Sequence, residues 1–300
     1  MPLVGAAIIP TAPLLVPGVS ATLPDGVAEV RQTMGEALAR LEHAEFVVLV
    51  AAGEDAAGER GASGPRGKTH GIRLRLHPTS RRCGALEDNQ YTARPAPCEA
   101  GAVAPSVSTE LSAWTTTGEL GVYEHAEASL AGFGRPDLST RLRVASWLSN
   151  ASCQQGPLPP SLTVLALLVG DHAPVVPISV ASCATAHFLA ASGAAIATSL
   201  SGRGVLLAAG DLSAGLGERS PRYRVEGAPA WDEAVVAAVD AQRPERLAAL
   251  GPAEARRVAA LGWAPIVVAQ AACMAAGLRL RVKHYSAPRG VGYLVAATDA

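Results

Sequence analysis

Apolar and polar positions along this chain fall into two regimes. Val4 to Ile9 is a short apolar run closed by Pro10, the form of a strand buried on both faces. Pro10-Thr11-Ala12-Pro13 reads as a loop. From Pro24 to Leu41 the positions Val27, Val30, Met34, Ala37, Leu38 and Leu41 recur at helical spacing, and Pro24 suits a first-turn position. Phe46 to Val50 is a second apolar strand, ending at Ala51-Ala52-Gly53. Strand, helix and strand with short connections predict a βαβ unit, hence a parallel sheet covered by helices.

The pattern then stops. Glu54 to about Pro105 is rich in Arg, Gly, Pro, Ser and Cys and shows little periodicity. An irregular or flexible insert of this length is unusual inside a compact domain; it reads as a disordered excursion, a lid, or a stretch that has lost its pattern. Periodicity returns later. Ser161 to Val169 is apolar, Val175 to Val180 reads as a strand, and Ala184 to Leu200 as an Ala-rich helix. Gly204 to Ala209 is a strong buried strand ending at Gly210-Asp211-Leu212-Ser213. Trp231 to Ala241 is an amphipathic helix whose early acids Asp232 and Glu233 suit the helix dipole. Short helices are expected over Pro244 to Leu250, Pro252 to Leu261 and Pro265 to Ala276. Two strands follow, Leu278 to Tyr285 and Val291 to Ala297, joined by the turn Ala287-Pro288-Arg289-Gly290. The expected fold is α/β: a single domain over 1–300 with a central mixed, mostly parallel sheet flanked by helices, interrupted by the insert at about 54–105.

Composition narrows the function classes. The chain has 300 residues and is 49% hydrophobic but only 4% aromatic, so its core is built of Ala, Val and Leu. The Ala- and Arg-rich usage suggests a GC-rich, bacterial genome. A formal net charge of -1 excludes recruitment of nucleic acid or an anionic membrane by a global field. Five cysteines without a CxxC pair argue against a zinc ribbon and favour a reducing cytoplasm. The apolar N-terminus lacks a basic region and is broken by Pro10, Pro13 and Pro17, so it reads as neither signal peptide nor membrane span. No GxxxxGK[ST], GxSxG or HExxH motif is present.

In α/β proteins ligands sit at the carboxyl ends of the strands. Three polar clusters follow predicted strands: Thr11, then Glu54 and Asp55, then Asp211 and Ser213. A fourth, Gly170-Asp171-His172, follows an apolar run. His172 in that turn suits a general acid/base near neutral pH, or a structural role bonded to a loop carbonyl. Asp211 suits either a metal ligand or a turn-former. The remaining histidines, His43, His70, His77, His125, His187 and His284, sit at helix ends, in irregular sequence or beside acids and complete no metal motif.

Ala7-Ile8-Ile9-Pro10-Thr11-Ala12-Pro13-Leu14-Leu15-Val16-Pro17 resembles the opening of class III extradiol ring-cleavage dioxygenases of the subunit-B (LigB) type, whose fold Memo-like proteins share. Gly170-Asp171-His172-Ala173-Pro174-Val175-Val176-Pro177 resembles that family's Asp-His-Gly block, and Gly210-Asp211-Leu212-Ser213-Ala214 its Gly-Asp-Leu-Ser-His block. Tyr223, Trp231-Asp232 and Pro288-Arg289-Gly290-Val291-Gly292-Tyr293 extend the likeness, which covers roughly 1–53 and 160–300. The resemblance implies a LigB/Memo-like α/β fold and oxidative cleavage of a catechol-type aromatic ring. In that chemistry a non-haem Fe(II), held on one face by two histidines and a carboxylate, binds the catechol oxygens and dioxygen. It implies His172 as acid/base with Asp171 beside it. It also places Thr11, Glu54 and Asp211 at the metal positions, and suggests a homodimer or a small second subunit.

Three of those positions depart from the family. Thr11 and Ala12 stand where a His is usual between the prolines; Ala52-Gly53-Glu54-Asp55 where the second strand usually ends in His; and Ala214 where the Asp-Leu-Ser block ends in His. Two readings follow: an extradiol dioxygenase-like enzyme with a rearranged metal site, or a metal-free binding or scaffolding protein on the same fold. A hydrolase using Ser213 and His172 is a third, without an oxyanion motif to accompany it.

Overall fold

The computed structural model describes residues 3–39, 43–53, 120–123, 127–144, 153–154, 157–200 and 202–299. The irregular stretch at 54–105 lies outside the described residues. The described part is an α/β domain with a mixed, largely parallel sheet flanked by helices. Ten strands are β1 (Leu3–Ile9), β2 (Phe46–Ala52), β3 (Leu120–Tyr123), β4 (Glu127–Leu130), β5 (Arg135–Arg141), β6 (Cys153–Gln154), β7 (Val175–Val180), β8 (Gly204–Ala209), β9 (Leu280–Ser286) and β10 (Tyr293–Thr298). Six helices are α1 (Val27–Leu38), α2 (Pro160–Val169), α3 (Ala186–Ser199), α4 (Ala228–Asp240), α5 (Pro244–Arg257) and α6 (Trp263–Ala275).

The main sheet has eight strands in the order β6-β3-β7-β2-β8-β1-β10-β9. Its centre, β7, β2, β8 and β1, is parallel throughout. Antiparallel strands close both sides: β10 against β1 and β9 against β10, and β3 against β7. The central strands read as unbroken apolar runs because both faces are covered. Val47, Leu49 and Ala51 of β2 and Val205, Leu207 and Ala209 of β8 pack under α1 and α2. Val48, Val50, Leu206 and Ala208 point the other way, under α3, α4, α5 and α6. On that second face α3 and α6 approach closely at Gly193, where an added Cβ would lie 2.2 Å from the Val268 carbonyl oxygen.

Several boundaries differ from the sequence expectation for local reasons. The first helix begins at Val27, after Gly26 in a left-handed conformation (φ 77°); Pro24 precedes it, its carbonyl accepting from the Val27 N–H. The apolar run after Ser161, for which no element was expected, is a helix with Pro160 in its first turn, ending at Gly170 (φ 57°). Burial on nearly every side hides its helical periodicity. Helix α5 is kinked at Gly251 (φ 67°, ψ 161°) beside Pro252, at the predicted junction of two short helices. Strands β3 to β6 had no sequence signal: they are short, and β5 (Arg135–Arg141) is largely polar and exposed, forming only a two-stranded ribbon with β4. No helix among the described residues is long and apolar enough to cross a membrane.

Candidate functional site

The four parallel strands end along one edge, and there β1 and β8, neighbours in the sheet, deliver Thr11 and Asp211 to each other. The Thr11 N–H donates to both carboxylate oxygens of Asp211, 3.1 Å to Oδ1 and 2.9 Å to Oδ2. The Thr11 hydroxyl donates to Oδ2 as well. The backbone around Asp211 is equally engaged. The Gly210 N–H donates to the Ile9 carbonyl (2.8 Å), the Gly262 N–H to the Asp211 carbonyl (2.7 Å), and the Leu294 N–H to the Gly210 carbonyl (3.1 Å). Gly210 has to be glycine here, because a Cβ would meet the Leu294 carbonyl oxygen at 2.6 Å and Ile8 Cγ2 at 2.7 Å. Thr11 is buried, and Asp211 is half-buried with its carboxyl turned inward. Burial pushes that carboxyl above the ordinary carboxylate range, with the Thr11 hydrogen bonds acting against it. Beside it the buried Tyr293 phenol is pushed up to about 12 by burial and by the Asp211 charge, with Arg289 opposing.

A second buried carboxylate lies on the helix-rich face. Asp232, in the first turns of α4, accepts from the Ser213 N–H (3.0 Å) and from the Tyr285 hydroxyl (2.8 Å). Burial raises its pKa, and the donors Tyr285 and Ser213 lower it. The Tyr285 phenol is raised in turn by burial and by the adjacent Asp232 charge. The Ser213 hydroxyl is fully buried against Asp232 but makes no hydrogen bond of ordinary geometry. Gly292 leaves room for the carboxylate, since a Cβ there would lie 2.1 Å from Asp232 Oδ2. Sequence reasoning gave Asp232 only a helix-dipole role and Tyr285 none. The available signal was an acid on an otherwise core-facing helix position, next to Trp231.

His172 and Asp171 do not join this edge. They lie between α2 and β7, at the amino end of a strand whose carboxyl end is the one level with Thr11 and Asp211. The six residues of β7 at roughly 3.3 Å each put about 20 Å between the two edges. Both residues are exposed; the Asp171 carbonyl accepts from Arg143 (2.9 Å). The same separation parts Ser213 from His172, so these two do not form a nucleophile–base pair. Glu54, the remaining expected ligand, lies outside the described residues. Among the described residues, no group of three or more His, Cys, Asp or Glu side chains is placed to hold a metal ion. Among the described residues, the donors at this edge do not make a ferrous site: Asp211 already accepts from Thr11, and that threonine stands at the expected histidine position. His284, on β9, is occupied elsewhere, with Ser286 Oγ at 2.8 Å and Glu29 at 3.5 Å.

Over the same strand ends, on the helix-rich face, lies an open cleft of about 200 Å³. Ser182, just past β7, lines it. Arg222 comes from the loop after β8, Arg256 from the last turn of α5, and Ala259, Leu261 and Trp263 from the turn leading into α6. The indole is fixed by its N–H donating to the Leu247 carbonyl (3.0 Å). The cleft thus pairs an apolar wall with two cationic groups, at the edge where α/β sheets bind ligands.

No protein family signature matches the chain, and no curated protein matches it. Among solved structures, the crystal structure of the uncharacterized protein JW3007 from Escherichia coli K12 aligns with it at 11% sequence identity and a TM-score of 0.48. The alignment covers 98% of this chain and 99% of that one. A likeness of that degree says nothing about activity.

Proposed function

We propose that this protein is a small-molecule binding protein on an extradiol dioxygenase-like α/β fold, and that it does not cleave aromatic rings with iron. The observation that carries this reading is the closed Thr11–Asp211 pair. At the position where the resemblance calls for a metal-binding histidine, Thr11 donates its N–H and its hydroxyl to Asp211. A cation there would have to displace or share those donors, and imidazole cannot be replaced by a threonine hydroxyl without a large loss of ferrous affinity. The location of His172 at the far edge of the sheet supports the same reading, since an acid/base there cannot reach a ligand at the carboxyl ends.

Anaerobic reconstitution with ferrous ion, followed by metal analysis and oxygen-electrode measurements on catechol, tests it. The expected result is substoichiometric iron and no oxygen uptake above the protein-free control. One iron per chain together with catechol-dependent oxygen uptake would overturn it and establish a rearranged dioxygenase site.

A further inference from the structure

The cleft at the strand ends carries charge that no carboxylate among the described residues neutralises. Arg256 sits in the last turn of α5, but the acid of that turn, Glu254, is taken by Arg257 at 2.7 Å. Neither Arg222 nor Arg256 forms an ion pair with a carboxylate among the described residues. Both side chains are exposed, and the backbone that carries them is fixed. The Arg222 N–H donates to the Ala214 carbonyl (3.1 Å), and the Ala214 N–H donates to the Val258 carbonyl (3.0 Å), which ties the Arg222 loop to the turn that follows Arg256. That turn is held by the Ala259 N–H on the Arg256 carbonyl (3.1 Å) and the Gly262 N–H on the Asp211 carbonyl (2.7 Å).

Two residues of these segments adopt left-handed backbone without being glycine: Ala259 (φ 55°), which lines the cleft, and Tyr223 (φ 56°), next to Arg222. Such conformations cost on the order of 1 kcal/mol each and persist where surrounding contacts enforce them. Here they orient two loops around one hollow. The two arginines come from different elements, so their place on one cleft is a product of the fold.

We propose that this cleft binds a compact organic anion, its carboxylate or phosphate oxygens meeting the Arg222 and Arg256 guanidiniums while its apolar part lies against Ala259 and Leu261. Guanidinium forks suit two-oxygen acceptors, and the apolar wall gives no partner to a polar body. About 200 Å³ admits a small molecule. The proposal names the ligand class for the binding-protein reading and rests on it.

The test uses the full chain, freed of metal with a chelator, in calorimetric titrations with hexanoate, with inorganic phosphate and with hexanol. Saturable binding is expected for hexanoate or phosphate and not for hexanol. Binding weakens about tenfold or more in Arg222→Gln and in Arg256→Gln, and is unchanged in Arg281→Gln, an exposed arginine on β9. Preference for hexanoate marks an organic carboxylate as the ligand class, and preference for phosphate a phosphate monoester. Thermal melts confirm that the variants fold. If a Gln variant does not fold, Leu261→Glu, at a 55% exposed position, is expected to weaken the anion by repulsion. No saturable binding of either anion, or equal binding by wild type and the arginine variants, would refute the site. Because iron is absent from this assay, its outcome is independent of the reconstitution experiment. Iron-dependent oxygen uptake there would leave an anion site standing here, and failure here would leave the metal-free reading intact.

Discussion

Thr11→Val is the sharpest probe of the strand-end pair. Valine keeps the volume and branching of threonine, so it opens no cavity, and the Thr11 N–H contacts to Asp211 survive. What disappears is the hydroxyl donation to Asp211 Oδ2. A hydrogen bond to a charged acceptor contributes about 1.5–3 kcal/mol. With the two backbone contacts retained, the expected loss where Asp211 is ionised is about 2 kcal/mol, or roughly 4–8 °C in melting temperature for a domain of this size. The cost depends on pH in a defined direction. Burial raises the folded-state pKa of Asp211 above its unfolded value. Its contribution to stability is therefore fully present below the unfolded pKa and is lost as pH rises through the folded one. The Thr11 hydroxyl offsets part of that loss, and only for the ionised form. In Thr11→Val the folded pKa rises further, and the penalty shrinks toward that of a neutral hydrogen bond, about 1 kcal/mol, as pH falls through it. Urea unfolding followed by circular dichroism, in the ordinary carboxylate range and at mildly alkaline pH, measures both quantities. A loss below about 0.5 kcal/mol at the alkaline end, or an equal loss at both ends, would refute the assignment. Thr11→Ser, which keeps the donor, should recover most of the stability.

Asp232 predicts a similar slope from the other buried carboxylate. Its pKa is raised by burial, so its share of stability falls as pH climbs from the ordinary carboxylate range toward neutrality. Asp232→Asn should flatten that part of the wild-type stability profile in melts across pH, and an unchanged profile would refute it. Gly193→Ala places a Cβ 2.2 Å from the Val268 carbonyl oxygen, which forces α3 and α6 apart. The expected cost is about 1–3 kcal/mol, read as a lower urea midpoint with an unchanged slope, and a midpoint equal to wild type would show that the helices yield freely.

Much of the fold was legible because burial on both faces of a parallel sheet leaves a plain trace. Val175 to Val180 and Gly204 to Ala209 could only be continuous apolar runs, and they are the observed strands β7 and β8. The site was legible only in pieces. The sequence left the place of His172 open, because a buried apolar run of this length reads equally as strand or helix. Had Ser161 to Val169 been a strand, the turn after it would lie at a carboxyl end. As helix α2 it puts His172 at the amino end of β7 instead.

Local sequence determined which segments are strands and helices, that the sheet is covered on both faces, and that polar residues stand at the ends of β1 and β8. Tertiary structure alone decided which of those residues meet. Thr11 and Asp211 are 200 positions apart and bond because β1 and β8 are neighbours in the sheet. Arg222 and Arg256 share a cleft because a backbone contact joins Ala214 to Val258. Periodicity is a property of one element against water, whereas a site is a property of several elements against each other, and strand order is set by the packing of the whole domain.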